Sequence, residues 1–138
     1  MKILAVDLGR VRTGIAISDD TGLIATPIGT ITQRDTETLI DQVASIAKKK
    51  SAEEIVVGHP RNMDGTRGDS ARFSEEFAKA LGEKTGLPVR LWDERMTTMS
   101  AIGILNKTNT RGKKRKAVVD TVAATVILQD YLDSLKNS

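Results

Sequence analysis

Apolar residues in this chain recur with two different periods, and the change between them marks the architecture. From Lys2 the run ILAV is continuous and ends at Asp7 and Gly9, the pattern of a strand covered on both faces. RTGIAISD follows, then the turn residues DDTG, then LIATPIGTIT. Short runs rich in Ile and Thr, split by turn chemistry, predict an antiparallel meander of three strands. Pro27 and Gly29 mark the third strand as an edge strand or one with a bulge.

The period then lengthens. Leu39, Ile40, Val43, Ile46 and Ala47 line one face of a helix that begins near Asp35 or Thr36, either of which suits a cap. EEIVVGHP is a short buried strand and RNMDGTRG a polar, Gly-rich loop. A second helix follows, capped by Asp69 or Ser70, with Phe73, Phe77, Ala80 and Leu81 inward and Gly86 at its end. LPVRLWDE reads as a fifth strand, TTMSAIGILN as a short helix, NKTNTRGKKRK as a basic loop, and RKAVVDTVAATVILQDYL as a closing amphipathic helix. The order β-β-β-α-β-α-β-α-α predicts an α/β domain. Its sheet is mixed, the later strands parallel and the helices packed on its faces. With 138 residues and no linker or internal repeat, residues 1–138 form a single domain.

One residue breaks the closing helix's pattern. Asp120 shares a stripe with Ala123, Ala124, Ile127 and Tyr131, and a carboxylate on an apolar stripe must recover its lost hydration from a partner. Acids at the ends of two strands suggest what that partner is. In open α/β sheets, sites form beyond the carboxyl ends of the strands. Asp7 ends the first strand, and Asp93 and Glu94 end the fifth. Asp120 is expected in the first turn of the last helix, facing the sheet, so acids from three distant parts of the chain converge. Singly, each has a plainer reading: a turn bonded to amides, a helix start, a surface charge cluster. Together they would protonate, splay apart or bind metal, and oxygen-only ligands favour Mg²⁺ or Mn²⁺.

Composition narrows the chemistry further. Zero cysteines exclude disulfides and thiolate metal sites and are compatible with the cytosol. One histidine, His59, makes a His-rich zinc site or a Ser-His-Asp triad hard to build. No targeting segment is visible, and no apolar stretch is long enough to cross a membrane. The net charge of +3 is uneven. Lys107, Arg111, Lys113, Lys114, Arg115 and Lys116 form one acid-free patch, leaving the other 15 basic residues against 18 acidic ones. Such a patch suits a polyanion, nucleic acid first.

Four motifs, AVDLGRVRTGIAISD (5–19), IVVGHPRNMDGT (55–66), LWDERMTTMSA (91–101) and KAVVDTVAATVILQDYL (116–132), together resemble the bacterial YqgF/RuvX family of the ribonuclease H-like fold. The resemblance covers nearly the whole chain. It implies a five-stranded mixed sheet, three antiparallel strands then two parallel, with helices on both faces. It also implies an acidic site at Asp7, Glu94 and Asp120 and cleavage of phosphodiester bonds during 5′-end maturation of pre-16S rRNA in the cytoplasm. Resolvases of this fold commonly carry an acid at the end of the fourth strand, where this chain has Gly58 and His59. The second carboxylate must then come from the fifth strand, with Asp93 and Glu94 both in reach.

Around the acids, Arg10, Arg12 and Thr13 in the GRVRTG hairpin are candidates for phosphate contact, with Arg95 and Thr98 after the fifth strand. Arg111, Lys113, Lys114, Arg115 and Lys116 are candidates for holding the backbone of nucleic acid. His59 is expected beside the site rather than in the chemistry, Asn62 and Asp64 in the rim or the turn itself, and Trp92 in the core. The expected substrate is pre-rRNA or a branched DNA, with ribosomal precursor particles as partners and a monomer or homodimer as the working form. The alternatives are a non-catalytic rRNA-binding assembly factor and a Holliday junction resolvase. VDLGRVRTGIAI is also similar to the phosphate-binding hairpin of actin-like ATPases and sugar kinases, which need two such domains where this chain provides one.

Overall fold

The computed structural model describes residues 1–62, 64–96 and 112–136, the last span from residue 122 on with its side chains. The elements are β1 (Ile3–Asp7), β2 (Arg12–Ser18), β3 (Ala25–Thr32), α1 (Thr36–Lys49), β4 (Glu54–His59), α2 (Asp69–Thr85), β5 (Val89–Asp93) and α3 (Gly112–Lys136), with a 3₁₀ turn at Glu94–Met96. The strands form one sheet in the order β3-β2-β1-β4-β5. β1, β2 and β3 pair antiparallel, and β4 and β5 run parallel to β1. The mixed sheet expected from the sequence is the sheet observed. β3 is an edge strand, and its pairing to β2 slips between Ile15 and Ala16, where Gly29 and Pro27 are the partners. The edge and the bulge therefore both occur.

β1 lies at the centre and is apolar on both faces because both are covered. Leu4 and Val6 pack with Ile55, Val57, Leu39, Val43, Phe77 and Leu81 under α1 and α2. Ile3 and Ala5 pack with Ala16, Val56, Ala124, Ile127, Leu128 and Leu132 under α3. Asp35 caps α1, its carboxylate accepting from the Thr38 amide at 3.0 Å, and Gly86 closes α2 in the left-handed conformation at φ 72°.

Three expectations need correction. α2 is preceded by Gly68 without a side-chain cap, and Asp69 is already its first residue; there the acid meets the positive end of the helix dipole, which serves in place of a cap. Its buried face is Ala71, Ser74, Phe77, Ala78 and Leu81, with Phe73 and Ala80 only half-buried. The basic segment is not all loop. α3 begins at Gly112, so Lys113, Lys114, Arg115 and Lys116 are helical, and Asp120 lies in the third turn instead of the first. A segment polar on every face gives no periodic signal, but Lys and Arg are good helix formers and nothing stops the helix before Gly112. The short helix expected over 97–106 lies outside the described residues.

Candidate active site at the carboxyl edge of the sheet

The pleat sorts the acids. Successive side chains on a strand point to opposite faces, so Asp7 follows Ile3 and Ala5 onto the α3 face of β1. Parallel pairing sets Ala5 against Val56 and Val6 against Val57, which puts Gly58 beside Asp7. Gly58 in turn pairs with Trp92, and His59 with Asp93. Trp92 packs with the α3 cluster, edge-on to Tyr131 with ring centroids 5.7 Å apart; it is core, as expected. Asp93 therefore points away from α3, and Glu94 returns to the α3 face.

The two acids open at the end of β5 have separate fates. Asp93 is committed to Arg95, whose Nη2 and Nε donate to its carboxylate at 2.7 and 3.1 Å and whose backbone N–H donates at 3.0 Å. Those bonds from Arg95 hold its carboxyl below the usual range. Glu94 is hydrogen-bonded to Asp7, and burial pushes its carboxyl upward. The bond from Asp7 and the nearby His59 pull the other way, and Asp93 adds to the rise. Two carboxyls in direct contact, one of them desolvated, resist ionising together.

The remaining expected residues fall into three groups. In the β1–β2 turn, a side chain on Gly9 would strike the Arg12 carbonyl oxygen at 1.9 Å, so the turn itself requires glycine there. Thr13 is fully buried, its hydroxyl accepting from the Gly9 amide at 3.2 Å and donating to the Gly9 carbonyl at 3.3 Å. Thr13 builds the turn and is not presented to solvent. Arg10 is exposed and lies over the Phe73 ring, 4.3 Å from its centroid, which pins the turn to α2. Arg12 is half-buried at the start of β2. Arg95 is exposed, paired with Asp93 as above.

A second group surrounds His59, which is buried at 5% exposure and faces α2. Arg61 Nε donates to its Nδ1 at 3.3 Å, which leaves Nε2 to donate to Glu75 at 2.7 Å. Arg67 closes on the other Glu75 oxygen at 3.0 Å. Arg61, Arg67 and Glu75 were not singled out by sequence reasoning. The only signal for them was the pair of arginines flanking NMDGT. In that loop Asn62 bonds to Thr66, and Asp64 accepts from the Thr66 amide at 2.9 Å, so both shape the turn.

The third group belongs to α3 and the segment before it. Thr98 and Arg111 lie outside the described residues. For Lys113, Lys114, Arg115, Lys116 and Asp120 the backbone of α3 is described. The helix runs antiparallel to β4: Tyr131 donates to Glu54 Oε2 at 2.7 Å, at the start of β4, and Ile127 lies against Gly58 near its end. Position 120 is therefore about 10 Å further along the axis, toward the carboxyl edge. Among the described residues no three acidic, His or Cys side chains form a metal-sized cluster; Asp7 and Glu94 form a pair. A groove of about 690 Å³ between α1 and α2, bordered by Asp41, Lys48, Lys84 and Leu87, lies toward the opposite edge of the sheet and contains neither acid.

Comparison with known proteins bears on the family and the fold. The RuvX family model, described as Holliday junction resolvase, matches residues 1–134. A protein of Lachnospira eligens named "Putative pre-16S rRNA nuclease" is 43% identical over 137 residues, covering 97% of this chain and 98% of its own. The Bacillus subtilis protein of the same name is 42% identical over 137 residues, covering 98% and 99%. Among solved structures, T. thermophilus RuvC in complex with a Holliday junction substrate superposes with a TM-score of 0.63 at 11% identity, covering 97% of this chain and 96% of the other. The likeness to RuvC is one of fold, and it bears out the ribonuclease H-like architecture. No helix among the described residues is long and apolar enough to cross a membrane.

Proposed function

This chain belongs to the RuvX family, and from that premise we propose that it is a nuclease that hydrolyses phosphodiester bonds at the carboxyl edge of its sheet. Asp7, Glu94 and Asp120 are its acids, a divalent cation, Mg²⁺ or Mn²⁺, its cofactor, and a precursor of 16S rRNA in the cytoplasm its substrate. The observation that carries the reading is the contact between Asp7 and Glu94. They come from strands separated by β4, and both turn to the same face at the same edge.

The pair fits a hard cation. It offers carboxylate oxygens and no sulfur or imidazole, and a cation between them would relieve the repulsion of two acids in contact. When bound, the ion lowers the pKa of a water molecule and neutralises charge developing on the phosphodiester. The chain's own part is placement. Asp7 is fixed at the end of the buried central strand, Glu94 lies over Gly58, and position 120 is carried on α3. Lys113, Lys114, Arg115 and Lys116 on α3, with Arg10, Arg12 and Arg95 at the strand ends, supply contacts to the substrate backbone, joined by Arg111 and Thr98, which lie outside the described residues.

The family description also favours a second substrate, a four-way DNA junction. Cutting one symmetrically would call for two copies of the chain. One experiment decides both points. The protein and its Asp7→Asn variant are incubated with pre-16S rRNA and with four-way junctions, in Mn²⁺ and in chelator. Metal-dependent cleavage of the rRNA, lost in the variant, is expected. Equal cleavage by the variant refutes the site, cleavage of junctions alone moves the substrate to DNA, and binding without cleavage makes the protein an assembly factor.

A further inference from the structure

We propose that Gly58 is a positioning residue of the acid pair: the absence of a side chain at this point of β4 admits Glu94 to Asp7. The inference rests on the metal-site reading of those two acids. Glu94 is rooted beyond β5 and Asp7 ends β1, with β4 between them. Neighbouring strands lie about 4.8 Å apart, so the Glu94 side chain must pass over β4 to make its contact. It passes over residue 58. A Cβ placed there would stand 3.1 Å from Glu94 Cδ, 3.2 Å from its Cγ and 3.0 Å from Ile127 Cδ1.

The backbone conformation gives no reason for this glycine. Its φ is not among the positive values, which belong to Gly22, Gly29, Gly65 and Gly86. A glycine inside a strand weakens it and leaves nothing to pack. The atoms nearest to the added Cβ all belong to side chains, in contrast to Gly9, where the obstacle is a backbone carbonyl. Ile127 is 1% exposed and enclosed by the α3 cluster, whereas Glu94 is only partly buried and can swing toward solvent. A methyl group at 58 therefore displaces the carboxyl rather than the core.

Gly58→Ala tests this. In metal-free protein, proton NMR should show close contact between the Gly58 α-protons and the Glu94 γ-protons. In the variant, contact between the new methyl group and Glu94 should be absent. Calorimetric affinity for Mn²⁺ should fall about 10- to 100-fold, while the melting temperature in chelator stays level or rises. Gly58→Asp combined with Glu94→Ala places a carboxyl in the vacated space and should bind Mn²⁺ more tightly than Glu94→Ala alone. If Gly58→Ala unfolds, adding Ile127→Val removes the 3.0 Å contact and leaves the one with Glu94, and the same readouts apply. Undiminished Mn²⁺ affinity with the methyl group in contact with Glu94 overturns the inference. If the wild type takes up no Mn²⁺, the metal reading fails, and the NMR contact still decides what Gly58 does.

Discussion

Replacing Glu94 with glutamine should make the metal-free protein more stable and the metal-loaded protein useless. Glutamine preserves the volume of the side chain, keeps a hydrogen bond to Asp7 and removes one of two acids in contact. Two carboxylates about 4 Å apart repel by about 1 kcal/mol in water and about 4 kcal/mol at an effective dielectric near 20. The partly buried pair lies between those limits. For a chain of this size, each kcal/mol moves the melting temperature by roughly 3–5 °C, so the variant should melt about 3–20 °C above wild type at pH 7 in chelator. The gap should depend on pH. The Glu94 carboxyl is raised above its ordinary 4.5 by burial, so the folded wild type is favoured when that group is protonated. The resulting stability is present below pH 4.5 and lost as pH rises through the higher, folded value. The advantage of Glu94→Gln should therefore vanish in acid and open above pH 4.5. Millimolar Mn²⁺ should close the gap, and reverse the order where the repulsion is under about 2.7 kcal/mol, the amount that a ligand at 100 times its Kd adds to the form that binds it. Circular dichroism melts across pH, with and without Mn²⁺, measure all of this. A variant less stable than wild type in chelator at pH 7, or a gap independent of pH, refutes the picture of two acids held together at a cost to the fold.

Other outcomes follow from the same geometry. Tyr131→Phe removes the 2.7 Å bond to Glu54, a carboxylate only 8% exposed, and should lose about 1–3 kcal/mol in chemical denaturation without affecting cleavage. In wild type the Tyr131 hydroxyl is pushed up to about 12 by burial and by its bond to Glu54. Its contribution is complete below pH 10 and lost between pH 10 and 12, a slope that Tyr131→Phe should lack when unfolding is followed in alkali. Replacing Lys113, Lys114 and Lys116 with alanine should weaken RNA binding and flatten the plot of log affinity against log salt. For a single strand the slope should fall by about 0.7 per phosphate left without its lysine. An unchanged slope would place the substrate elsewhere.

Much of the fold was legible because its signals are local. Strand periods, the Asp35 cap, the Gly86 stop and the bulge near Pro27 are each written in a few neighbouring residues. The start of α3 was not legible. KKRK carries no apolar periodicity, and helix propensity, the signal that remained, is weak beside a run of like charges. At the site, the approach of Asp7 and Glu94 follows from strand order and pleat, but strand order is not local. The choice between Asp93 and Glu94 needed the register of β4 against β5, which the sequence does not print. Register also gives meaning to Gly58, an ordinary glycine in the sequence and an open passage once β1 and β5 stand on either side of it. The network joining His59 to Glu75, Arg61 and Arg67 depends on α2 crossing the end of β4, and no spacing in the chain announces it.

The central claim, that Asp7 and Glu94 are brought together to hold a divalent cation, is tested most directly by diffraction from crystals soaked in Mn²⁺. An anomalous peak within coordination distance of both carboxylates, on the side facing α3, is the predicted result. A map with no peak there at millimolar Mn²⁺, and with the two carboxyls still bonded only to each other, contradicts it.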